Sequence, residues 1–326
     1  MKPKTIIKNC IFSILLVVST TFVFAQQTAI PDVNFEQALI DLGYDTGSPD
    51  GVVPTTNINT VQWLSISNKN IRDLTGIQDF LALERLECDN NTITNLDVSN
   101  NHNLKQLYCS YNELTQLNVS GCLQLEALTC IVNQLINIDI SNNRQLKSII
   151  CYANLLETFS LINNRKLTYI NCNNNNISNL DVSHNILLES LSFSSNNIES
   201  IDLRNLTKLK FLDCGGNRIK NLNVSNNISL ISLFCDNNLI FLLDLRNLIR
   251  LTQFNAIVNR NLSYININNK TNKNITLFDI RFCSPKLVCV VVDDARWSTS
   301  NWINSDAHTN YYEKDCSKEN MLQYGY

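Results

Sequence analysis

A pattern of the form Leu-x-x-Leu-x-Cys-x-x-Asn-x-Leu recurs along this chain with a period of 21 residues. Nine successive copies begin at Leu83, Leu104, Leu125, Leu146, Leu167, Leu188, Leu209, Leu230 and Leu251. A 22-residue turn that begins at Val61 precedes them, and a degenerate turn that begins near Ile275 follows. One copy is too short to bury its own apolar side chains, so successive copies must stack on one another. The period therefore predicts a solenoid of about eleven coils, each of 21 or 22 residues.

The apolar positions inside each copy predict one short strand per coil. Residues at the fourth and sixth positions point to the same side of a strand, because side chains alternate along an extended chain. The first, eleventh, fourteenth and sixteenth positions are also apolar, as in Leu104, Leu114, Leu117 and Val119. Strands at equivalent positions of stacked coils run parallel, so we expect one parallel β-sheet along the solenoid.

An asparagine fills the ninth position in nine of ten turns: Asn91, Asn112, Asn133, Asn154, Asn175, Asn196, Asn217, Asn238 and Asn259. A buried amide offers two donors and two acceptors, which suits backbone groups left without partners where the chain leaves a strand. We therefore predict an asparagine ladder, which disfavours the alternative fold, a parallel β-helix. A second column is also expected to point inward, and it consists of Asn101, Cys122, Asn143, Asn164, Asn185, Leu206, Asn227 and Leu248.

The repeat resembles the leucine-rich repeat family in stretches such as Leu83 to Ser99, which reads LERLECDNNTITNLDVS. The first turn, Leu64 to Leu74, resembles that of the internalins. The segments Ala29 to Gly43 and Cys289 to Cys316 are similar to the two ends of secreted repeat proteins of Bacteroidota. This resemblance implies a sheet on the concave face of the solenoid, a role in protein binding and a disulfide between Cys289 and Cys316.

Residues 1–25 have the composition of a signal peptide, with an apolar run that extends from residue 11 to residue 24. Its positive end is supplied by Lys2, Lys4 and Lys8. The small side chain of Ala25 predicts cleavage before Gln26. No second apolar segment is long enough to span a bilayer. We therefore expect a secreted or cell-surface protein without a membrane span.

The repeats leave two ends whose edge strands need cover. Residues 26–60 form the predicted N-terminal cap, and residues 61–292 form the solenoid. At helical spacing after Asp32, the first cap carries Phe35, Ala38, Leu39 and Leu42. Residues 293–326 form the predicted C-terminal cap, in which Trp297 and Trp302 are candidate apolar cover.

Charge and motif content disfavour nucleic-acid binding and catalysis. Without the three leader lysines, 23 basic residues face 29 acidic residues, which gives a formal charge near −6. Phosphate binding would need clustered Lys and Arg instead. The chain has only three histidines and eight glycines, and it contains no H-E-x-x-H, G-x-S-x-G or phosphate-binding glycine loop. We expect no enzyme activity, no cofactor and no nucleic-acid partner.

Seven of the twelve cysteines share the sixth repeat position: Cys88, Cys109, Cys130, Cys151, Cys172, Cys214 and Cys235. Ile66, Phe193 and Ala256 fill this position elsewhere, so it favours buried apolar side chains. Neighbouring strands lie about 4.8 Å apart, whereas the Cβ atoms of a disulfide lie about 3.8 Å apart. We predict unpaired thiols, with a soft-metal stack as the less favoured alternative. Cys283 falls where the last turn would place its asparagine.

A column of aspartates raises the alternative of a calcium ladder. It consists of Asp97, Asp139, Asp181, Asp202 and Asp244. Other residues interrupt the column at Asn118, Ser160 and Asn223. Turns stabilised by short polar side chains explain all of these residues more simply, so we predict no metal site.

Aromatic and aliphatic residues occupy outward strand positions of four consecutive coils, namely the third, fifth, seventh and eighth. We call these residues the first patch: Tyr108, Tyr111, Ile131, Val132, Ile150, Tyr152 and Tyr169. A second patch lies further along, beside Asp213 and Asp236, and consists of Phe211, Phe234, Ile257 and Val258. Exposed aromatic clusters commonly mark binding surfaces. The alternative is that these residue types are simply good strand formers.

Two functions remain open from the sequence. The first is a secreted, non-enzymatic binding module that presents its concave surface to a protein partner. The second is a structural or carbohydrate-adhering surface protein that acts as a spacer. The aliphatic residues of the first patch favour protein over glycan, because sugars rarely need such contacts. Many similar proteins carry a separate C-terminal secretion and anchoring domain, and we expect none here because the sequence stops at Tyr326. This expectation weakens the surface-anchored alternative.

Overall fold

The computed structural model describes residues 26–287 and 289–316. Eleven parallel strands of three residues each form one sheet, which we call the long sheet. Its strands are Trp63–Ser65, Arg85–Glu87, Gln106–Tyr108, Ala127–Thr129, Ser148–Ile150, Tyr169–Asn171, Ser190–Ser192, Phe211–Asp213, Ser232–Phe234, Gln253–Asn255 and Leu277–Asp279. Each strand pairs with the equivalent strand of the next coil, as Ile170 does with Leu191. The predicted solenoid and its parallel sheet are confirmed.

The middle residue of each long-sheet strand points into the solenoid. Leu86, Leu107 and Leu128 are fully buried, whereas their strand neighbours remain partly exposed. These inward residues join the other apolar repeat positions in one continuous core. Every coil therefore buries its apolar side chains against the adjacent coils, as stacked repeats must.

Shorter parallel sheets lie on the opposite side of the coils. One pairs Asn95–Asp97 with Gln116–Asn118, and the other joins Leu242–Asp244, Tyr264–Asn266, Cys289–Val291 and Tyr311–Tyr312. Between them, the aspartate column forms turns. The Asp139 Oδ1 accepts a hydrogen bond from the Ser141 N–H at 2.9 Å, and Asp181 does the same for Ser183 at 2.9 Å. These hydrogen bonds show that the aspartates of this column stabilise turns.

The N-terminal end of the core is closed by a strand pair and a helix. Gln27–Ala29 pairs antiparallel with Val52–Pro54, and a short helix, Thr55–Ile58, follows. The helix Val33–Asp41 begins at Asp32, whose carboxylate accepts hydrogen bonds from two backbone N–H groups of the first turn. Phe35, Ala38 and Leu39 are buried beneath it. Leu42 lies at the C-terminal end of this helix and is 45% exposed, so it adds little to the cap.

The C-terminal end is closed by aromatic side chains. Trp302 follows the helix Ala295–Asn301 and stacks on Phe278, with ring centroids 4.0 Å apart. Trp297 meets Trp302 edge to face at 5.9 Å. A disulfide joins Cys289 to Cys316, whose Cα atoms are 6.0 Å apart. Elsewhere in the described residues, Ile77–Asp79 and Asn272–Asn274 form short 3₁₀ helices. The part of the predicted cap beyond residue 316 lies outside the described residues, as do residues 1–25.

Asparagines at the ninth position bridge adjacent coils through the backbone. The Asn133 amide donates to the carbonyls of Cys109 at 3.0 Å and Cys130 at 3.2 Å, and its Oδ1 accepts from the Leu114 N–H at 3.0 Å. In the inward second column, Asn143 donates to Val119 and Cys122, each at 2.9 Å. The Asn143 Oδ1 is buried without a partner.

The seven cysteines of the sixth position are buried and unpaired, as predicted. Burial raises the pKa of the Cys130 thiol to about 12. Cys283 donates from Sγ to the Ala256 carbonyl at 3.2 Å, the contact that an asparagine makes in the preceding coils. It therefore substitutes for one of the asparagine hydrogen bonds in the last coil.

Candidate binding surface on the long sheet

The outward side of the long sheet, which we call the sheet face, is formed by four positions of every coil. The third and fifth positions lie on the strand, and the seventh and eighth positions follow it. None of the first-patch residues is buried. Tyr111, Val132 and Tyr169 are 48%, 39% and 38% exposed, while the other four members are half-buried. The sheet face therefore presents both patches to solvent.

The eighth position has a left-handed backbone in eleven successive coils, with φ between 48° and 61°. Its residues are Asn68, Asn90, Tyr111, Val132, Ala153, Asn174, Ser195, Gly216, Asn237, Val258 and Phe282. This conformation turns the chain off the strand and directs the N–H to the next coil. The Tyr111 N–H, for example, donates to the Ile131 carbonyl at 2.7 Å.

Bulky residues occupy the eighth position in the two patches and, as Phe282, in the last coil of the long sheet. The left-handed region suits glycine and asparagine, whereas a β-branched residue is a marked exception there. Val132 has a φ of 50° and Val258 has a φ of 58°. For ordinary L-residues this conformation costs about 1–2 kcal/mol. The coil geometry alone gives no reason to prefer valine over the asparagine used elsewhere.

The first patch is continuous across the coil that carries Ile131 and Val132. Tyr111 and Tyr152 come from the coils on either side. The interaction with the Tyr111 side chain is the main cause of the raised pKa of Tyr152. The two tyrosines therefore flank the coil that carries the aliphatic residues.

An aromatic and cationic stack extends the first patch towards the N-terminus. The Arg85 guanidinium lies 5.4 Å from the Trp63 ring centroid and 4.9 Å from the Tyr108 ring centroid. It also donates to Gln106 at 2.9 Å and pairs with Glu87. Trp63 is 60% exposed. The sequence reasoning missed Trp63 and Arg85, although a tryptophan at an outward strand position of the first coil was a usable signal.

The second patch divides into two parts. The Phe211 and Phe234 rings pack 5.6 Å apart and border a cavity of about 410 Å³ together with Asp213 and Asp236. Ile257 and Val258 are half-buried and do not line this cavity. The sequence grouped all four apolar residues, whereas the structure brings together the two rings and the two carboxylates.

A larger cavity, of about 590 Å³, lies on the side opposite the long sheet. Phe241, Leu242 and Tyr264 line it beside Arg246 and Arg260. This cavity was not predicted from the sequence. Its one sequence signal is the pair Phe241 and Leu242, two consecutive apolar residues at positions that are polar in most coils. Phe241 and Leu242 are 49% and 52% exposed.

The histidines make only local contacts. His102 lies 3.2 Å from the Gly121 carbonyl through Nδ1, and His308 lies 3.0 Å from the Ser284 carbonyl through Nε2. His184 contacts its neighbour Ser183. These three rings belong to three separate coils or caps, so the structure does not bring them together.

Similarity to known proteins agrees with the geometry of the coils. Residues 186–229 match the family model described as Leucine Rich repeats (2 copies). The functional domain of InlJ from Listeria monocytogenes, whose structure includes a cysteine ladder, is 27% identical with a TM-score of 0.62. The match covers 90% of this chain and 74% of that domain's chain. The chain has the leucine-rich repeat fold.

More distant leucine-rich repeat structures share this fold. TLR13 in its complex with ssRNA13 is 17% identical with a TM-score of 0.54, over 73% of this chain and 44% of that one. The ectodomain of the Arabidopsis thaliana receptor kinase GASSHO1/SCHENGEN3, in complex with CASPARIAN STRIP INTEGRITY FACTOR 2, is 20% identical with a TM-score of 0.50. That match covers 74% of this chain and 36% of the ectodomain. No curated protein matches this sequence.

These similar structures differ in the ligands that they bind. Two of them are complexes, one with RNA and one with CASPARIAN STRIP INTEGRITY FACTOR 2. The fold by itself therefore does not determine the class of ligand. The described residues of the present chain contain no helix with the length and apolar character that a bilayer crossing requires.

Proposed function

We propose that this leucine-rich repeat protein is an exported, non-enzymatic binding module whose first patch contacts a protein partner. The observation that carries the proposal is Val132, a β-branched residue held at a φ of 50° on an exposed position. Asparagine occupies the same position in other coils at lower conformational cost. A residue that adds strain to the fold without filling the core is typical of a functional surface.

The residue types of the first patch suit a protein partner. Trp, Tyr and Arg dominate the binding energy of protein interfaces, and Trp63, Arg85 and Tyr108 form one ordered stack here. Because contacts within the fold already hold these side chains, binding would cost little side-chain entropy. The neighbouring Ile131 and Val132 supply aliphatic area that a glycan would not use.

Charge and leader sequence support the other parts of the proposal. The formal charge near −6 after removal of residues 1–25 disfavours contact with a nucleic-acid backbone. The leader features, which lie outside the described residues, support export. A disulfide between Cys289 and Cys316 agrees with an oxidising compartment.

The test is a double variant, Tyr108→Ala with Tyr152→Ala, compared with the wild type by thermal melting and by capture of protein partners. We expect capture to fall by at least tenfold, because truncation of central interface residues costs about 2 kcal/mol or more. The loss of stability should stay near 1 kcal/mol, since Tyr108 contributes mainly an exposed cation–π contact.

The matched control is Ile162→Ala with Ile186→Ala. These residues are 49% and 53% exposed and lie away from the sheet face. Their removal should leave capture unchanged. If the tyrosine variant melts like the wild type and still captures every partner, the patch is only strand-forming surface. The spacer or carbohydrate-adhering function would then be favoured.

A further inference from the structure

The cavity of the second patch combines apolar rings with negative charge. Its volume is about 410 Å³, and its walls include the Phe211 and Phe234 rings and the Asp213 and Asp236 carboxylates. All four side chains lie on the sheet face and are half-buried. The cavity is therefore open to a partner and partly shielded from water.

Two consecutive glycines make room for this cavity. Gly215 and Gly216 occupy the seventh and eighth positions of one coil, where the other coils carry side chains, and both line the cavity. A Cβ at Gly215 would lie 2.7 Å from the Asp236 Oδ1. The carboxylate of Asp236 thus lies directly over the Gly215 backbone, and any larger residue there would displace it.

The two carboxylates have no cation of their own. Asp213 accepts hydrogen bonds from the Ser192 hydroxyl at 3.1 Å and the Gly215 N–H at 3.2 Å. Neither aspartate takes part in an ion pair among the described residues, although other acids pair with a nearby base, as Glu189 does with Lys210 at 2.7 Å. Burial, together with the charge of Asp213, raises the pKa of Asp236. A bound cation would offset both the cost of burying the Asp236 charge and its repulsion by Asp213.

The chemistry of the walls selects the kind of cation. Calcium needs about six or more oxygen ligands, which two carboxylates flanked by phenylalanine rings do not supply. A magnesium ion would keep several of its waters, and the phenylalanine rings offer those waters no hydrogen bonds. A guanidinium group is planar, pairs with carboxylates through two parallel N–H groups and stacks on aromatic faces. A lysine ammonium offers the charge without this flat shape.

We propose that this cavity is a specificity pocket for an arginine side chain of a partner protein. Its guanidinium would donate to Asp236 and Asp213, and its flat face would lie against Phe234. The inference deepens the proposed binding role of the sheet face, because it names the chemistry that the partner must present. It places a second contact point four coils or more from Tyr108.

The test uses protein labelled with ¹⁵N-glycine, which carries only eight labelled residues. Gly215 and Gly216 report on the cavity, and the remaining glycines report on the rest of the chain. N-acetyl-arginine amide is titrated beside its neutral isostere, N-acetyl-citrulline amide. We expect saturable shifts confined to the two cavity glycines, with citrulline binding at least tenfold more weakly than arginine. Equal shifts with citrulline, or none with arginine, would overturn the proposal.

The variant Asp213→Asn with Asp236→Asn should weaken arginine binding at least tenfold. Asparagine already occupies the equivalent positions in another coil, as Asn171 and Asn173, so the substitution should not disturb the repeat. The control variant, Asp139→Asn with Asp181→Asn, removes two charges from turns on the opposite side and should bind as the wild type does. Equal weakening in both variants would mean that net charge alone attracts the probe. Because Tyr108 and Tyr152 stay intact, this test and the capture test can fail independently.

Discussion

Two asparagines of one coil should contribute very differently to stability. Asn133, at the ninth position, uses both ends of its amide: it donates to the carbonyls of Cys109 and Cys130, and it accepts from the Leu114 N–H. Asn143, in the second column, donates to two carbonyls, but its Oδ1 is buried without a partner. Each asparagine is replaced by leucine in a separate variant.

The magnitude follows from the groups that each change leaves without a partner. Asn133→Leu leaves the buried Leu114 N–H without a partner. The Cys109 and Cys130 carbonyls still accept hydrogen bonds from the asparagines of the adjacent coils. An unsatisfied buried group costs about 1–3 kcal/mol, so we expect a loss of about 2 kcal/mol. Asn143→Leu leaves no carbonyl without a partner, because Val119 and Cys122 also accept backbone N–H groups, and it removes an oxygen that is already unsatisfied. Leucine naturally fills this column at Leu206 and Leu248. We expect a loss of about 1 kcal/mol or less for that variant.

The assay is urea unfolding followed by circular dichroism, with hydrogen exchange of the Leu114 amide as the local measurement. Exchange at Leu114 should accelerate in Asn133→Leu and stay near the wild-type rate in Asn143→Leu. Equal losses of stability in the two variants would refute the argument, since it depends on the different number of satisfied groups. A larger loss for Asn143→Leu would refute it as well.

Three further predictions concern thiols, backbone strain and pH. Denaturation without reductant should expose to alkylation the nine unpaired cysteines of residues 26–316. In the folded protein, burial shields these thiols and raises their pKa values. Recovery of three or fewer free thiols would contradict this prediction. Asn174→Val should lower the free energy of unfolding by about 1 kcal/mol, because it places a β-branched residue at a φ of 51°. Urea unfolding measures this loss, and an unchanged urea midpoint would contradict the strain at this position. Binding of the arginine probe should strengthen as the pH rises through the raised pKa of Asp236, since only the ionised carboxylate attracts the guanidinium. NMR titrations at several pH values measure this affinity. An affinity that does not change with pH would contradict the prediction.

The repeat made most of the fold predictable. A period of 21 residues, with apolar residues at fixed positions, is compatible with few architectures, and the strands, the inward columns and the unpaired cysteines all follow from it. The aromatic cover of the C-terminal end was also foreseeable, because Trp302 is one of few large apolar residues after the last coil.

The surface was less predictable, because it depends on backbone angles and on contacts between unlike side chains. The left-handed eighth position could not be inferred from Tyr111 or Val132, since neither favours that conformation. Arg85 carries no sequence signature of a binding residue, because its role depends on its position between two rings. The second-patch cavity depends on two glycines, that is, on missing side chains, which a search for apolar residues does not detect.

Site-specific photo-crosslinking tests the central claim, that the sheet face is the binding surface, most directly. A benzophenone amino acid replaces either Tyr169 on the sheet face or Ile162 away from it, residues that are 38% and 49% exposed. Each variant is irradiated with proteins from the producing organism and its surroundings, and adducts are identified by mass spectrometry. We expect a discrete protein adduct at position 169 and none at position 162. Adducts of equal yield at both positions, or at position 162 alone, would contradict it.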